Sequence, residues 1–249
     1  CVYRTSEVGV DVRGIADRLS EAVRCNPRIH FVPSAHVVGV KPQAAGALRV
    51  TFRTDDNEHG EVYDQVANTL WQDRLAIDAT MGLVPERDWI YRYKVGGWLN
   101  KPVKDGALPS TTFVLGPYGD IVNLGPRGIY FSWYPLGMMG SSRELKPPDW
   151  RHDLPHATLR SVLRDSYRTL QELCPALGLV EYEDGCVEPV GGVIFAWGNA
   201  DIDEHNSRLH TRYEIGIHSE CNYHSVNTGK YTMIPYLGYR TAERILGIS

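Results

Sequence analysis

The sequence NYHSVNTGKYTMIP, residues 222–235, leads into a segment with the periodicity of an α-helix, residues 236–245. Small polar residues and Gly229 precede this helix and allow backbone N–H groups to point outward. A helix start carries unpaired N–H donors and a partial positive charge, so it suits an electron-rich ligand such as phosphate or carboxylate. Lys230 adds a full positive charge there. The expected apolar face of the helix consists of Leu237, Thr241, Ala242 and Ile245.

A simpler interpretation explains the same residues. Thr and Asn side chains commonly cap helix N-termini, and lysines are mostly exposed on protein surfaces. Considered alone, the loop therefore favours a capped helix with a surface Lys230. The ligand-binding interpretation depends on the rest of the chain.

The composition is typical of a globular protein with a large core. The chain has 249 residues, of which 43% are hydrophobic, enough for one large domain or two interleaved ones. The net charge of -4 and the lack of a basic cluster predict no nucleic-acid partner. No apolar run is long enough to span a bilayer and no signal peptide is visible, which predicts no membrane span.

The 5 cysteines are scattered and form no CxxC pair, which predicts reduced thiols and a cytoplasmic location. The chain begins with Cys1 and continues directly into YRTSE, residues 3–7, a start typical of the middle of a domain. We therefore expect the natural protein to extend further at its N-terminus.

The first third of the chain mixes helix and strand patterns. Asp11 is expected to cap a helix at residues 12–25, and a second helix is expected at residues 72–81. A polar turn is expected at residues 54–60. This order predicts an α/β part with a β-meander. The strands are expected at residues 29–32, 35–40, 48–53 and 61–68, and the apolar stripe of the first helix consists of Ile15, Leu19, Ala22 and Val23.

The middle of the chain is rich in aromatic residues and glycine or proline turns, a pattern that predicts a large, mostly antiparallel sheet. A helix at residues 155–173 interrupts the strands. The fold class is therefore α+β or α/β, with two parts interleaved in sequence. The expected strands of this sheet lie at residues 89–95, 111–115, 120–124, 128–134 and 192–197.

Three residues of this sheet are candidates for substrate binding. Arg92 can pair with a substrate carboxylate, and Tyr134 or Trp197 can line a pocket. Ordinary aromatic cross-strand pairs explain these residues equally well.

Other reactive motifs are weak or missing. The segment DIDEH, residues 201–205, and nearby His210 have side chains that can bind a cation, but their spacing matches no standard metal loop. A solvated turn is favoured there, and no metal is predicted. The sequence contains no GxSxG, P-loop or GxGxxG motif and no signature of a nucleophilic cysteine, so no catalytic residue is identified.

Several segments carry a resemblance to a known family through their order and spacing. They are YDQVANTLW (63–71), RLAIDAT (74–80), LGPYGD (115–120), YFSWYP (130–135), IFAWG (194–198) and TGKYT (228–232). Together they resemble the D-amino-acid oxidase-like superfamily of FAD-dependent oxidoreductases, the glycine and sarcosine oxidase group. The likeness is nearest to uncharacterised bacterial FAD-dependent oxidoreductases and spans most of the chain.

The resemblance implies an interrupted FAD-binding domain, residues 1–78 and 214–249, and a sheet-rich substrate domain, residues 79–213. The backbone at Val37 would meet the adenine, and Asn68 and Trp71 would face the flavin. The loop residues would lie at the flavin N1 and O2 edge, where fixed donors stabilise the negative charge of the reduced form. These loop residues are Thr228, Gly229, Lys230, Tyr231 and Thr232.

The sequence departs from the family pattern at two places. The N-terminal glycine-rich βαβ unit that binds the pyrophosphate is missing, so this chain alone is expected to lack the main phosphate site. The family's substrate arginine has no counterpart in residues 191–201, which puts an α-amino acid substrate in doubt. Arg92 is then only a substitute candidate for binding a substrate carboxylate.

The expected function is that of the C-terminal portion of a flavoprotein. It would oxidise a small amine or alcohol-type substrate by hydride transfer to FAD. The alternative is a non-catalytic relic of a flavin fold, or a module that binds a small, sugar-like ligand. The missing glycine motif favours the alternative, and the retained TGKYT loop favours the enzyme.

Overall fold

The computed structural model describes residues 2–6, 8–55, 57–104, 106–114, 116, 118–200, 207 and 215–248. The chain is a mixed α+β protein, and its described strands form three sheets. It divides into two compact units that alternate along the sequence. Unit 1 comprises Cys1–Phe31, Arg92–Gly140 and Asp149–Ile194, and unit 2 comprises Val32–Tyr91, Ser141–Pro148 and Phe195–Ser249. The assignment of a cofactor domain and a substrate domain stays a prediction.

The helices are α1 (Val12–Cys25), α2 (Arg74–Thr80), α3 (Tyr134–Gly137), α4 (Trp150–Asp153), α5 (His156–Leu173) and α6 (Ile234–Leu246). The strands are β1 (His36–Pro42), β2 (Leu48–Thr54), β3 (Asn57–Tyr63), β4 (Val66–Asn68), β5 (Trp89–Leu99), β6 (Thr111–Phe113), β7 (Gly119–Asn123), β8 (Ile129–Trp133), β9 (Met138–Ser142), β10 (Val187–Trp197), β11 (Gly216–Glu220) and β12 (Tyr223–Asn227). None of the helices in the described part of the chain combines the length and apolar character needed to cross a bilayer.

The largest sheet has the strand order β10-β5-β8-β7-β6, and β9 also pairs with β5. The pairs β5–β8, β7–β8 and β6–β7 are antiparallel, which confirms the predicted antiparallel sheet. In unit 1, α5 packs against β8 and buries Leu163, Tyr167 and Leu170. The ring of Tyr167 meets that of Phe131 edge to face, with centroids 5.3 Å apart, as aromatic pairs prefer.

Unit 2 contains two smaller sheets. The first has the order β1-β2-β3, and both of its pairs are antiparallel. The second has the order β11-β12-β4, in which β12 is antiparallel to β11 and parallel to β4. A core cluster of Val40, Leu48, Ile77 and Tyr223 brings together residues of β1, β2, α2 and β12.

Helix α2 is also tied to β1 by hydrogen bonds. The hydroxyl of Thr80 accepts from the N–H of Val40 at 2.8 Å and donates to the carbonyl of Val40 at 3.1 Å. The same hydroxyl lies 2.7 Å from the carbonyl of Ile77, so its one proton is shared between a helix carbonyl and a strand carbonyl while its oxygen satisfies the N–H of Val40.

The helices predicted at residues 12–25, 155–173 and 236–245 are confirmed to within two residues as α1, α5 and α6. The predicted cap is also confirmed, since the Asp11 carboxylate accepts from the N–H of Gly14 at 3.0 Å. The apolar stripe of α1 is not covered by the described residues. Ile15 is 39% exposed and Leu19 is 55% exposed.

Two strand predictions are wrong. Residues 29–32 form no strand; the N–H of Ile29 bonds to the carbonyl of Asn26 in a turn, and Phe31 is 50% exposed. The strand predicted at residues 61–68 divides into the end of β3 and all of β4, which belong to different sheets. The polar turn is shorter than predicted, because β3 already begins at Asn57. An alternating pattern does not reveal where a strand changes its partner.

Candidate functional site

Strands β4 and β12 run parallel with Asn68 opposite Ser225. A 3-10 helix, Trp71–Asp73, leads from β4 into α2, and a second one, Tyr231–Met233, leads from β12 into α6. The carboxyl ends of these neighbouring strands therefore lie at the same edge of the sheet, each followed by a helix. Ligands of open α/β sheets bind at such edges.

A buried polar network lies beside these strand ends. The Asn68 amide donates to Oδ1 of Asp78 at 2.9 Å, and the Tyr223 hydroxyl donates to the same atom at 2.7 Å. Ser225 and Arg74 donate to Oδ2 of Asp78, at 2.7 and 3.1 Å. The carboxylate thus accepts four hydrogen bonds, two on each oxygen. Such saturation offsets the cost of burying its charge.

Arg74 is the cation of this network and is 6% exposed. Its Nη1 bonds to Asp78 and, at 3.1 Å, to the hydroxyl of Ser225. Burial lowers the pKa of Arg74, and the nearby Asp78 charge works in the opposite direction. Nη2 of Arg74 is buried and has no hydrogen-bond partner among the residues that the structure describes.

Tyr223 lies at the other side of Asp78 and is fully buried. Burial raises the pKa of its hydroxyl, and the neighbouring Asp78 carboxylate raises it further. The hydroxyl therefore stays protonated and acts as a donor to Asp78. This chemistry suits a structural clamp and gives no proton acceptor at neutral pH.

A cleft of about 940 Å³ opens beside this network, at the upper end of the ~300–1,000 Å³ usual for small-molecule sites. Arg74 and Asp78 of α2, Ser225 and Asn227 of β12, and Trp197 at the end of β10 line it. All the lining residues belong to unit 2. The cleft thus reaches from the buried arginine to the carboxyl end of β12.

Trp197, a predicted substrate-binding residue, lines this cleft. The Arg87 guanidinium lies 4.1 Å from the centroid of its ring, and the Phe195 ring meets it edge to face with centroids 5.0 Å apart. A cation already covers one face of the indole, which leaves less ring surface for stacking. The buried Nε1 of Trp197 finds no acceptor within the described part of the chain.

The loop after β12 contains the other predicted ligand contacts. Gly229 has a φ of 61°, a left-handed conformation that favours glycine, and its N–H bonds to the Asn227 side chain at 3.1 Å. The N–H groups of Lys230 and Met233 bond to the carbonyls of Thr228 and Lys230. The loop thus uses several of its own N–H groups internally. Its remaining features are the exposed Lys230 ammonium and the exposed side chains of Tyr231 and Thr232.

The other predicted cofactor residues lie on different elements of unit 2. Val37 is half-buried in β1 and packs against the core cluster that contains Tyr223. Trp71 begins the 3-10 helix after β4 and has a φ of 48°, which is uncommon for a residue other than glycine. Asn68 is buried in the Asp78 network rather than open to a ligand.

Arg92 and Tyr134, the remaining predicted substrate residues, lie together in unit 1. Nη1 of Arg92 donates to the Tyr134 hydroxyl at 2.7 Å, and the two residues are 2% and 5% exposed. The predicted substrate residues therefore fall into a buried Arg92–Tyr134 pair and the separate Trp197 in unit 2.

The metal-capable segment, Asp201 to His205 with His210, lies outside the described residues. Among the residues described, no group of three or more His, Cys, Asp or Glu side chains is arranged to hold a metal ion.

Sequence reasoning missed the functional interest of Arg74, Asp78 and Tyr223. Arg74 and Asp78 are separated by four positions on a predicted helix, a spacing at which opposite charges pair. That signal was present, but it does not distinguish a surface pair from a buried one.

No family model matches this chain, and no curated protein matches it at a significant level.

Proposed function

We propose that this chain works in the FAD-dependent oxidation of a small amine or alcohol-type substrate. The observation that carries the proposal is the parallel pair β4–β12, whose carboxyl ends lie at the same edge of the sheet and lead into α2 and α6. This arrangement is typical of sheets that bind nucleotide cofactors. Bound flavin would supply hydride acceptance, and the protein would supply position and charge.

Residues of this chain suit the flavin ring more than the whole dinucleotide. Lys230 does not itself line the cleft; it follows the lining residue Asn227 by three positions and offers a positive charge that favours an electron-rich ring edge. The cleft at the carboxyl end of β12 has a volume sufficient for a planar ring system. The sequence has no glycine-rich phosphate loop, so it offers no recognisable motif that would bind the pyrophosphate.

In this proposal the residues have separate tasks. Lys230 stabilises negative charge on the ring edge, and Asp78 holds Asn68 at the end of β4 and Ser225 opposite it in β12, so that the two strands keep their alignment. The walls of the cleft orient the substrate and limit its contact with water. No described residue is assigned as the proton acceptor.

A second candidate is a non-catalytic module that binds a small polar ligand in the same cleft. The buried donors of Arg74 and Trp197 favour it, because they can hold a polar ligand without any cofactor. The sugar-binding version is weakened, since the Arg87 guanidinium occupies a face of the Trp197 ring that a sugar would stack on.

The visible absorption spectrum of the longest natural form of the protein, purified without added flavin, tests the proposal. Bands near about 370 and 450 nm that bleach with an amine or hydroxy acid would support the oxidoreductase. A colourless protein that also fails to take up added FAD would reject it and favour the binding module.

A further inference from the structure

Ser219 and His224 face each other across the hairpin of β11 and β12. The two residues are opposite each other in the antiparallel register, and the Ser219 hydroxyl lies 2.9 Å from Nδ1 of His224. Ser219 is exposed, and among the described strands β11 lies at the edge of its sheet. His224 is only 4% exposed. An accessible hydroxyl is therefore bonded to a buried imidazole.

A chain of amides fixes which nitrogen of His224 carries the proton. Asn222 donates from Nδ2 to the carbonyl of Gly46 at 3.0 Å, and its Oδ1 accepts from Nε2 of Gln65 at 3.1 Å. The other amide atom of Gln65, Oε1, therefore faces Nε2 of His224, at 2.9 Å. Because an amide oxygen only accepts, Nε2 of His224 carries the proton.

Nδ1 of His224 is consequently the basic nitrogen. Burial lowers the pKa of His224, and the charge of Arg244 lowers it further, so the ring is neutral at pH 7. A neutral ring that donates from Nε2 accepts at Nδ1, where the donor is the Ser219 hydroxyl. Nη1 of Arg244 donates to the same hydroxyl oxygen at 3.0 Å. Ser219 thus has a base for its proton and a cation beside the oxygen that would lose it.

These contacts are of the kind that activates a serine nucleophile. A hydroxyl becomes reactive when a neighbouring base takes its proton and a third group orients that base. In papain-like cysteine proteases an asparagine amide orients the catalytic histidine. Ser219, His224 and Gln65 supply a nucleophile, a base and an orienting amide, with the roles of the two ring nitrogens exchanged relative to the serine protease triad.

We propose that Ser219 is a nucleophilic serine that takes the acyl group of a small activated ester, with His224 as its general base. The bond from Oγ to the acyl carbon forms while the ester C–O bond breaks, and the Ser219 proton passes through Nδ1 of His224 to the departing alcohol. Water then attacks the acyl group, gives a proton to the same nitrogen and regenerates Ser219. The products are one acid and one alcohol. No flavin takes part, so this reaction is independent of the proposed oxidation.

Labelling with diisopropyl fluorophosphate tests the nucleophile in the longest natural form of the protein. The reagent forms an Oγ–P bond with an activated serine and releases fluoride. We expect a diisopropylphosphoryl group on Ser219, located by peptide mass spectrometry. The labelling rate should rise with pH and become level once His224 is neutral, with a midpoint below about pH 6.5. No label on Ser219, or a rate that still rises above about pH 8, would overturn the proposal.

Two variants and a control assign the roles. Ser219→Ala removes the exposed hydroxyl and should abolish this label. His224→Gln removes the base but keeps a side chain that can bond to Ser219, and it should slow labelling about 100-fold or more. Ser161→Ala removes another exposed serine hydroxyl, which donates to Asp165 at 3.3 Å, and it should keep the label and the rate of the parent protein.

Hydrolysis of 4-nitrophenyl acetate measures the complete reaction. The parent protein and Ser161→Ala should release 4-nitrophenolate at least about tenfold faster than Ser219→Ala, because only Ser219 has a base for its proton. Circular dichroism establishes whether His224→Gln folds. Where it does not, Ser219→Ala and the pH profile of the parent protein decide the outcome. Equal hydrolysis by the parent protein and Ser219→Ala contradicts the assignment.

Discussion

The Tyr223 hydroxyl donates a 2.7 Å hydrogen bond to Oδ1 of Asp78, although 145 residues separate the two in sequence. This bond joins the strand β12 to the helix α2. Asn68, at the end of β4, donates to both partners, at 2.9 Å to Asp78 and at 2.8 Å to Tyr223. The three elements that shape the candidate site therefore meet at one carboxylate, and the strength of this junction can be measured.

Asp78→Asn should destabilise the protein by about 3–5 kcal/mol, because it leaves the buried Arg74 cation without its counter-charge. Urea unfolding followed by circular dichroism measures this loss as a lower free energy of unfolding. Asp165→Asn is the control. Its carboxylate is 52% exposed and lies 4.0 Å from Arg168, so the change should be below about 1 kcal/mol. Equal losses in the two variants would contradict the assigned role of Asp78.

Gly229→Ala should destabilise the protein by about 1–3 kcal/mol. The residue has a φ of 61°, and an added Cβ would lie 2.2 Å from Cγ2 of Ile215. Gly238→Ala is the matched control within α6. No atom lies within 4 Å of its added Cβ, and alanine is the better helix former, so it should stabilise the protein by roughly 0.5–1 kcal/mol. Thermal unfolding should give a lower midpoint for Gly229→Ala and a higher midpoint for Gly238→Ala than for the parent protein. Shifts of the same sign would contradict the prediction.

The buried His224 should make stability depend on pH. Its ring nitrogens bond to Ser219 and Gln65, each at 2.9 Å, and burial lowers its pKa, with a smaller contribution from the Arg244 charge. The unfolded chain, with a histidine pKa of about 6.5, then binds more protons just below that pH. The free energy of unfolding should therefore rise with pH up to about 6.5 and stay level above it.

His224→Gln removes this titration. Urea unfolding of the variant between about pH 5 and 7.5 should show a smaller rise in the free energy of unfolding than the parent protein shows. His156→Gln changes an exposed histidine at the start of α5 and should keep the parent slope. A slope in His224→Gln as steep as that of the parent would exclude His224 as its source.

Lys230→Met tests the proposed flavin edge. Loss of the ammonium should weaken FAD binding about 3- to 10-fold, since a charge-assisted contact is removed from an electron-rich ring. Quenching of flavin fluorescence measures the affinity, and the reduction potential of any bound flavin should become more negative. Lys146→Met removes another exposed lysine and should have no effect. FAD affinity and potential unchanged in Lys230→Met would remove Lys230 from the proposal.

Much of the secondary structure was predictable from local sequence. The helices α1, α5 and α6 follow from the spacing of apolar residues, and the Asp11 cap follows from the residue type before a helix. The antiparallel sheet was also predictable, because glycine and proline turns divide its strands. The division of residues 61–68 into two strands was not predictable. The end of β3 and all of β4 share one alternating pattern, although the two strands belong to different sheets.

The candidate site was only partly predictable. Trp197 was expected to line a pocket and does line the cleft, whereas Arg92 and Tyr134 are buried together in unit 1. Asn68 was expected at a strand end and lies there, but its amide is engaged by Asp78. Residue type indicated which side chains are able to bind a ligand, and not which of them are already occupied.

The sequence by itself determined the local elements, including the glycine turn at Gly229 and the helix that follows it, because these depend on backbone preferences over a few residues. Only the tertiary structure decided that Asn68, Asp78 and Tyr223 meet. That meeting depends on the parallel pairing of β4 with β12, whose partners lie far apart in the chain. The pairing is selected by burial and by the saturation of one buried carboxylate, and neither acts until the chain is folded.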